Sequence, residues 1–151
     1  MLMLLGAGAL LATPLWVIAV VVKALSVALP GRRPDWGVRL LRWAAVMLAA
    51  AAVMLLLMAL GAVELSVNQA GSGAGSSPAP ACREAAPHLV AHLATHHASY
   101  LPPAFDCVLD DGTTFASSGV YLWLNGLVVA CATASVLLGV AARYTNRLRP
   151  A

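Results

Sequence analysis

All four histidines of the chain lie in one short segment, and their spacing is suited to metal binding. His88, His92 and His96 recur every four residues, and Glu84 extends the series by one step. Residues four apart share a face of a helix, where two imidazoles can hold one zinc or copper ion. If this segment is helical, Glu84, His88, His92 and His96 form one stripe of candidate metal ligands.

The flanking prolines predict such a helix from about Pro87 to Tyr100. Proline suits the first helical turn, where its missing N–H would have no partner, and Pro102 with Pro103 would end the helix. A complete metal site needs further ligands, which an aspartate of the following segment, such as Asp106, would have to supply. Two alternatives stay open: a pH-responsive histidine stripe and a solvated polar face with no ligand.

The three cysteines divide by their surroundings. Cys82 and Cys107 flank the histidine segment, whereas Cys131 lies in a long apolar run. In an oxidising compartment, two cysteines that flank a folded segment are expected to pair. Closing this loop of about 25 residues would stabilise it by about 3 kcal/mol. Cys131 is interpreted as a small apolar side chain.

A β-hairpin is predicted directly after the histidine segment. The runs 105–109 and 113–115 are rich in aromatic and β-branched residues, and they flank Asp110-Asp111-Gly112. An Asp-Gly pair between two such runs is a strong signal for a tight turn. An isolated hairpin is marginal in water, so the predicted disulfide and helix are expected to support it.

The composition indicates that lipid surrounds much of the chain. Of the 151 residues, 61% are hydrophobic and 10% are charged, whereas a soluble domain is about one quarter charged. A spanning helix needs about 20 mainly apolar residues. Three stretches meet this requirement, at 1–29, 43–63 and 119–142. The first has no basic residue before its apolar run, which favours a retained span over a cleaved signal peptide.

The charges predict the orientation of these spans. Eight of the nine basic residues lie beside the short loop between the first two spans or after the third span, and only Arg83 lies in the long loop. Cytoplasmic loops are enriched in Lys and Arg, so the N-terminus and the long loop are expected outside and the C-terminus inside. Five acidic residues lie in or beside that outer loop: Glu64, Glu84, Asp106, Asp110 and Asp111.

The predicted fold class is therefore an all-α membrane protein with three transmembrane helices and a small α+β extracytoplasmic module. Between the spans we predict a basic cytoplasmic loop at 30–42, a flexible Gly/Ser/Pro-rich linker at 64–81, a disulfide-closed module at 82–118 and a cytoplasmic tail at 143–151.

Small residues at four-residue spacing in the third span predict close helix packing, within the bundle or against a partner helix. These residues are Gly126, Ala130, Ala134, Ser135 and Gly139. No carboxylate, histidine or arginine lies near the centre of a span, which argues against an ion or proton pathway. Asn125 is expected to form a cap or to bond a neighbouring helix.

The sequence contains no GxSxG, P-loop or haem-attachment motif, and no basic patch interleaved with aromatics that would predict nucleic-acid binding. The run from Tyr100 to Gly112 resembles small actinobacterial integral membrane proteins with a disulfide-bearing outer loop, a resemblance that implies no activity or cofactor. We expect a non-enzymatic accessory or interaction protein of the cell membrane, whose partners are the bilayer and another membrane protein or a second copy. The alternative function is extracytoplasmic metal binding or sensing.

Overall fold

A computed structural model describes residues 1–27, 36–73 and 77–147 of the chain. Its three long helices are α1 (Leu2–Val27), α2 (Trp36–Gly71) and α4 (Val120–Arg147). Between α2 and α4 lie a short helix, α3 (Pro80–Ala85), a 3-10 helix (Pro87–His92) and three strands, β1 (Leu93–Tyr100), β2 (Pro103–Leu109) and β3 (Thr114–Ala116). The three long helices have the length and the apolar composition needed to cross a membrane.

The central helix is α2, with α1 and α4 packed against it as antiparallel neighbours. The backbones of α1 and α2 approach closely at two glycines. A Cβ built on Gly6 would lie 3.0 Å from the Cα of Gly61 and 3.1 Å from the carbonyl oxygen of Leu57. Such close backbone approach is how helices gain packing contacts in lipid. The contact between Gly6 and Gly61 was not predicted from the sequence.

Near the start of α1, Glu64 joins the two helices through polar contacts. Its carboxylate accepts a hydrogen bond from the amino group of Met1 at 3.0 Å and another from the backbone N–H of Met3. The first backbone N–H groups of a helix have no partner within the helix, and a carboxylate there also meets the positive end of the helix dipole. Glu64 therefore fixes the beginning of α1 beside the last third of α2.

Two side-chain hydrogen bonds set the register of α4 on α2. The hydroxyl of Ser135 donates to the carbonyl oxygen of Ala45 at 2.7 Å, and the hydroxyls of Ser66 and Tyr121 lie 3.4 Å apart. The beginning of α4 therefore contacts the end of α2, and the two helices are antiparallel. As a result, the segment between α2 and α4 folds against the C-terminal end of α2, near Glu64.

The helix ends differ from the predicted boundaries chiefly in α2, which begins at Trp36 and continues to Gly71. Residues 64–71 were predicted to belong to a flexible linker. They are helical because Val67 and Ala70 pack against a buried apolar cluster, so tertiary contacts outweigh a weak local preference. This buried cluster consists of Val63, Ala79, Cys82, Phe105, Cys107 and Tyr121. Residues 28–35, 74–76 and 148–151, which carry parts of the predicted basic loop, linker and tail, lie outside the described residues.

The segment between α2 and α4 contains an antiparallel sheet in the order β1-β2-β3. The predicted hairpin corresponds to β2 and β3, and Gly112 in its turn has φ +82°, a conformation that favours glycine. The predicted helix from Pro87 to Tyr100 is wrong. Only residues 87–92 are helical, as a 3-10 helix, and residues 93–100 form β1.

The physical reason lies in the partners of this segment. His96 faces Cys107 across the ladder and Ala98 faces Phe105, so alternate residues of β1 point towards the buried cluster. Alternation with a period of two defines a strand face. The four-residue histidine spacing fits both periods, and pairing with β2 selects the strand.

Candidate functional site

The residues 77–119, here called the loop module, are held together around a disulfide. Cys82 of α3 is bonded to Cys107 of β2, as predicted, across a sequence separation of 25 residues. Both cysteines are almost completely buried, as is Phe105. Because α3 has only six residues and β3 only three, neither element would be stable alone. The disulfide fixes α3 on the sheet and so completes the module.

The same buried cluster joins the loop module to the long helices. Val63 of α2, which is fully buried, and Tyr121 of α4 pack with Phe105, Cys82 and Cys107 in one apolar cluster. The module therefore sits directly on the helix pair. If the module were attached flexibly, these side chains would be exposed to water. That exposure would cost a free energy of about 25 cal/mol for each Å² of apolar surface.

The structure separates the predicted metal ligands. Glu84 lies on α3, His88 and His92 lie on the 3-10 helix, and His96 lies on β1 with its ring stacked on Phe105, the centroids 5.0 Å apart. The stack holds His96 against the buried cluster, away from the exposed His88. Among the described residues, no group of three or more His, Cys, Asp or Glu side chains is arranged to hold a metal ion. The helical stripe on which the metal hypothesis depended is therefore absent.

One predicted ligand has a different partner. Nδ1 of His92 lies 3.0 Å from a carboxylate oxygen of Asp110, and the backbone N–H of Asp110 donates to the carbonyl oxygen of His92 at 2.8 Å. The hydrogen bond and the charge of Asp110 raise the pKa of His92 above its ordinary value of 6.5. The pair connects the end of the 3-10 helix to the β2–β3 turn. Its role in the module is to hold these two loops together.

The β2–β3 turn is also stabilised internally. The backbone N–H and the hydroxyl of Thr113 both donate to one carboxylate oxygen of Asp111, at 2.8 and 2.6 Å. These bonds lower the pKa of Asp111 because they favour its ionised form. Together with Gly112 they give the turn a defined shape, although all of its residues are exposed.

A polar cleft of about 330 Å³ lies where the loop module meets α2 and α4. Its lining combines one carboxylate with four hydroxyl groups, those of Ser66, Glu84, Ser117, Ser118 and Tyr121, together with Ala81 and Ala85. No histidine is among these lining residues, so the serines have no adjacent imidazole to activate them as nucleophiles. The arrangement is suited to accepting hydrogen bonds from an amine or a hydroxyl group. Ser66 was not predicted as a site residue because residues 64–81 were expected to form a linker.

Asn125 bonds the loop module and not a neighbouring helix. Its side-chain amide donates to the carbonyl oxygen of Pro103 at 3.0 Å, which joins the second turn of α4 to the start of β2. The expectation of a cap or a helix–helix bond was therefore wrong about the partner. An amide in an apolar run is tolerated here because a backbone carbonyl satisfies it.

The surface that the module turns away from the helices is polar. His97 faces Asp106 and Ser99 faces Ala104 across the β1–β2 ladder, on the side opposite Phe105. β1 is also an outer strand of the sheet, so among the described strands only one of its two backbone edges is paired, with β2. Edge strands with exposed polar side chains are a common surface for strand addition by an extended peptide.

The predicted packing residues of α4 fall in two sets. Ser135 bonds α2, as described, and Ala134 and Gly139 are half-buried. Gly126 and Ala130 are exposed, and a Cβ on Gly126 would have no neighbour within 4 Å. These two residues leave a shallow region on the face of α4 that α2 does not cover.

Comparison of the chain with protein families, with curated proteins and with solved structures finds no match.

Proposed function

We propose that this chain is a non-enzymatic integral membrane protein that presents the loop module, outside the cell membrane, to a partner protein. The single observation that carries this proposal is the buried cluster of Val63, Phe105, Tyr121 and the disulfide. It joins a polar, covalently closed module to helices that are long and apolar enough to span a bilayer. A module held in this way offers a fixed surface to a partner.

The distribution of charge supports the orientation. α1 and α4 both run antiparallel to α2, so Lys23, Arg39, Arg42, Arg143 and Arg147 all lie at one end of the helices. The loop module lies at the opposite end. Basic residues favour the cytoplasmic side, which places the module and the N-terminus outside and the end of α4 inside.

The polar edge of the module supports an interaction role. The outward face of β1 carries His97 and Ser99, and β1 is an outer strand among the described strands, which is suited to an extended segment of a partner. The exposed Gly126 and Ala130 offer a second contact, to a transmembrane helix of the same partner. Together the two regions would let one membrane protein bind both the module and α4.

Impermeant maleimide labelling of single cysteines in intact cells tests the orientation. In a background with Cys131→Ser, we expect Asp111→Cys to be labelled in intact cells and Arg147→Cys to be labelled only after lysis. The Cys82–Cys107 disulfide does not react with maleimide and can stay in place. Labelling of Arg147→Cys alone in intact cells would reverse the orientation, and labelling of neither before lysis would contradict the outer location of the module.

Site-specific photo-crosslinking tests the interaction. A photoreactive residue at His97 is expected to give one discrete adduct with a membrane protein that also co-purifies with the unmodified chain. Gly126→Leu with Ala130→Leu should abolish the co-purification, whereas Gly8→Leu, at an open position of α1, should leave it intact. The interaction proposal fails if His97 gives no adduct, or if the two leucine variants behave alike.

A further inference from the structure

The turn between β1 and β2 is apolar and exposed, unlike the β2–β3 turn at the other end of the same sheet. Leu101 is 86% exposed and Tyr100 is 45% exposed. Pro102, which is also exposed, completes the turn, and the turn has no charged side chain. The β2–β3 turn, by contrast, carries two aspartates. The two ends of this small sheet are therefore built for different surroundings.

Two hydrogen bonds fix the direction in which the apolar turn points. The N–H of Ser117, just before α4, donates to the carbonyl oxygen of Phe105 at 3.0 Å. The amide of Asn125, in the second turn of α4, donates to the carbonyl oxygen of Pro103. β2 and the beginning of α4 therefore run antiparallel, so earlier residues of β2 lie beside later residues of α4. Leu101, two residues before Pro103, lies further along α4 in the same direction.

The length of α4 gives the depth of this turn in the proposed bilayer. About 20 helical residues cross the hydrocarbon, and counting back from Arg143 places its outer boundary near Trp123. Trp123 is 76% exposed, as expected of an aromatic residue at the membrane–water interface. Asn125 lies just inside that boundary. Leu101 extends beyond Pro103 by at most about 7 Å, since each of the two residues adds about 3.3 Å when extended.

The backbone of the turn is suited to this depth. Unpaired N–H and C=O groups are costly in hydrocarbon, which normally excludes loops exposed to lipid. Pro102 and Pro103 have no N–H group, and the carbonyl oxygen of Pro103 is bonded by Asn125. The two prolines thus remove two N–H donors, and Asn125 pairs one carbonyl oxygen. These three polar groups would otherwise oppose insertion.

We propose that the β1–β2 turn, Tyr100–Pro102, inserts into the outer leaflet of the bilayer beside α4 and contacts lipid through Leu101. The inference rests on the proposed membrane location and adds a contact that the three spans do not require. It gives the loop module a third attachment, besides the buried cluster and the chain connections. Leu122 and Trp123, in the same part of α4 as Asn125, are also exposed apolar side chains.

Depth-dependent fluorescence quenching in liposomes tests the insertion. In the Cys131→Ser background, an environment-sensitive dye is attached to Leu101→Cys. Asp111→Cys in the opposite turn serves as the aqueous control, and Leu137→Cys, exposed on α4, as the lipid reference. We expect blue-shifted emission at Leu101 with stronger quenching by nitroxide-labelled lipid than by aqueous iodide, and the reverse order at Asp111.

The three labels separate the two proposals. If Leu137 reports lipid and Leu101 reports water, the turn does not insert, and the membrane proposal stands. If Leu137 itself reports water, the membrane proposal fails and the insertion fails with it. A blue shift at Leu101 without quenching by nitroxide lipid would mean that protein covers the turn, which also overturns the inference.

Discussion

The close approach of α1 and α2 predicts that a single methyl group at Gly6 will destabilise the bundle. A Cβ there lies 3.0 Å from the Cα of Gly61, whereas carbon atoms prefer about 3.5–4.0 Å. The obstacle is backbone on both sides, because the next atom is the carbonyl oxygen of Leu57 at 3.1 Å. No side chain can rotate away, so the two helices must separate by roughly 0.5–1 Å.

The magnitude follows from two opposing effects. Overpacking of this kind costs about 1–3 kcal/mol. Alanine in place of glycine within a helix contributes up to about 1 kcal/mol in favour of the helix. Gly8 is a matched control two residues away, since a Cβ there meets nothing within 4 Å. Gly6→Ala should therefore be less stable than Gly8→Ala by about 1–3 kcal/mol, because the propensity gain is common to both.

The measurement is unfolding of purified protein by sodium dodecyl sulfate in mixed micelles, followed by tryptophan fluorescence. Trp16 of α1 is half-buried, so its contribution to the emission of the four tryptophans reports separation of the helices. Gly61→Ala should reproduce the loss, because its Cβ would lie 3.0 Å from the Cα of Gly6. Equal midpoints for Gly6→Ala and Gly8→Ala would refute the crossing at these glycines.

The loop module gives three further predictions, each measured by limited proteolysis of the module. Replacing Cys82 and Cys107 by serine should destabilise it by about 3 kcal/mol, on the chain-entropy estimate, and expose it to cleavage; unchanged resistance would mean that packing alone holds it. The His92–Asp110 pair should strengthen the module fully at pH values below 6.5 and lose this effect as the pH rises through the raised pKa of His92. Asp110→Asn should abolish that pH dependence, and persistence of it would assign the effect to another group. Asn125→Ala leaves a carbonyl without its donor, at a cost of about 1–3 kcal/mol, whereas Asn125→Gln should recover part of the loss.

The long helices could be predicted because each depends on composition over many residues. Three apolar stretches suffice to find α1, α2 and α4, and the disulfide follows from two cysteines that flank a polar segment. Their contact points could not be predicted in the same way. Gly6 and Gly8 are equivalent in the sequence, and only the crossing of α1 with α2 distinguishes them.

The predicted helical histidine stripe was wrong because one spacing is compatible with two structures. His92 and His96 are four residues apart, so they share a face in a helix and also in a strand. A useful signal was present in Thr95 and Tyr100, since β-branched and aromatic residues favour strands. The deciding factor is pairing with β2, the next strand along the chain, across the turn at Leu101 and Pro102.

The length of α2 determines how the loop module would meet the proposed partner. Its 36 residues extend about 54 Å, whereas the hydrocarbon accounts for about 30 Å. The remaining turns extend from the proposed membrane and carry Val67 and Ala70 into the buried cluster. A flexible linker at 64–81 would let the module sample many heights and angles. With α2 continuous to Gly71, His97 has a nearly fixed position, so its crosslinks should fall on a narrow set of partner residues. Broadly scattered crosslinks would show that the module moves independently of α2.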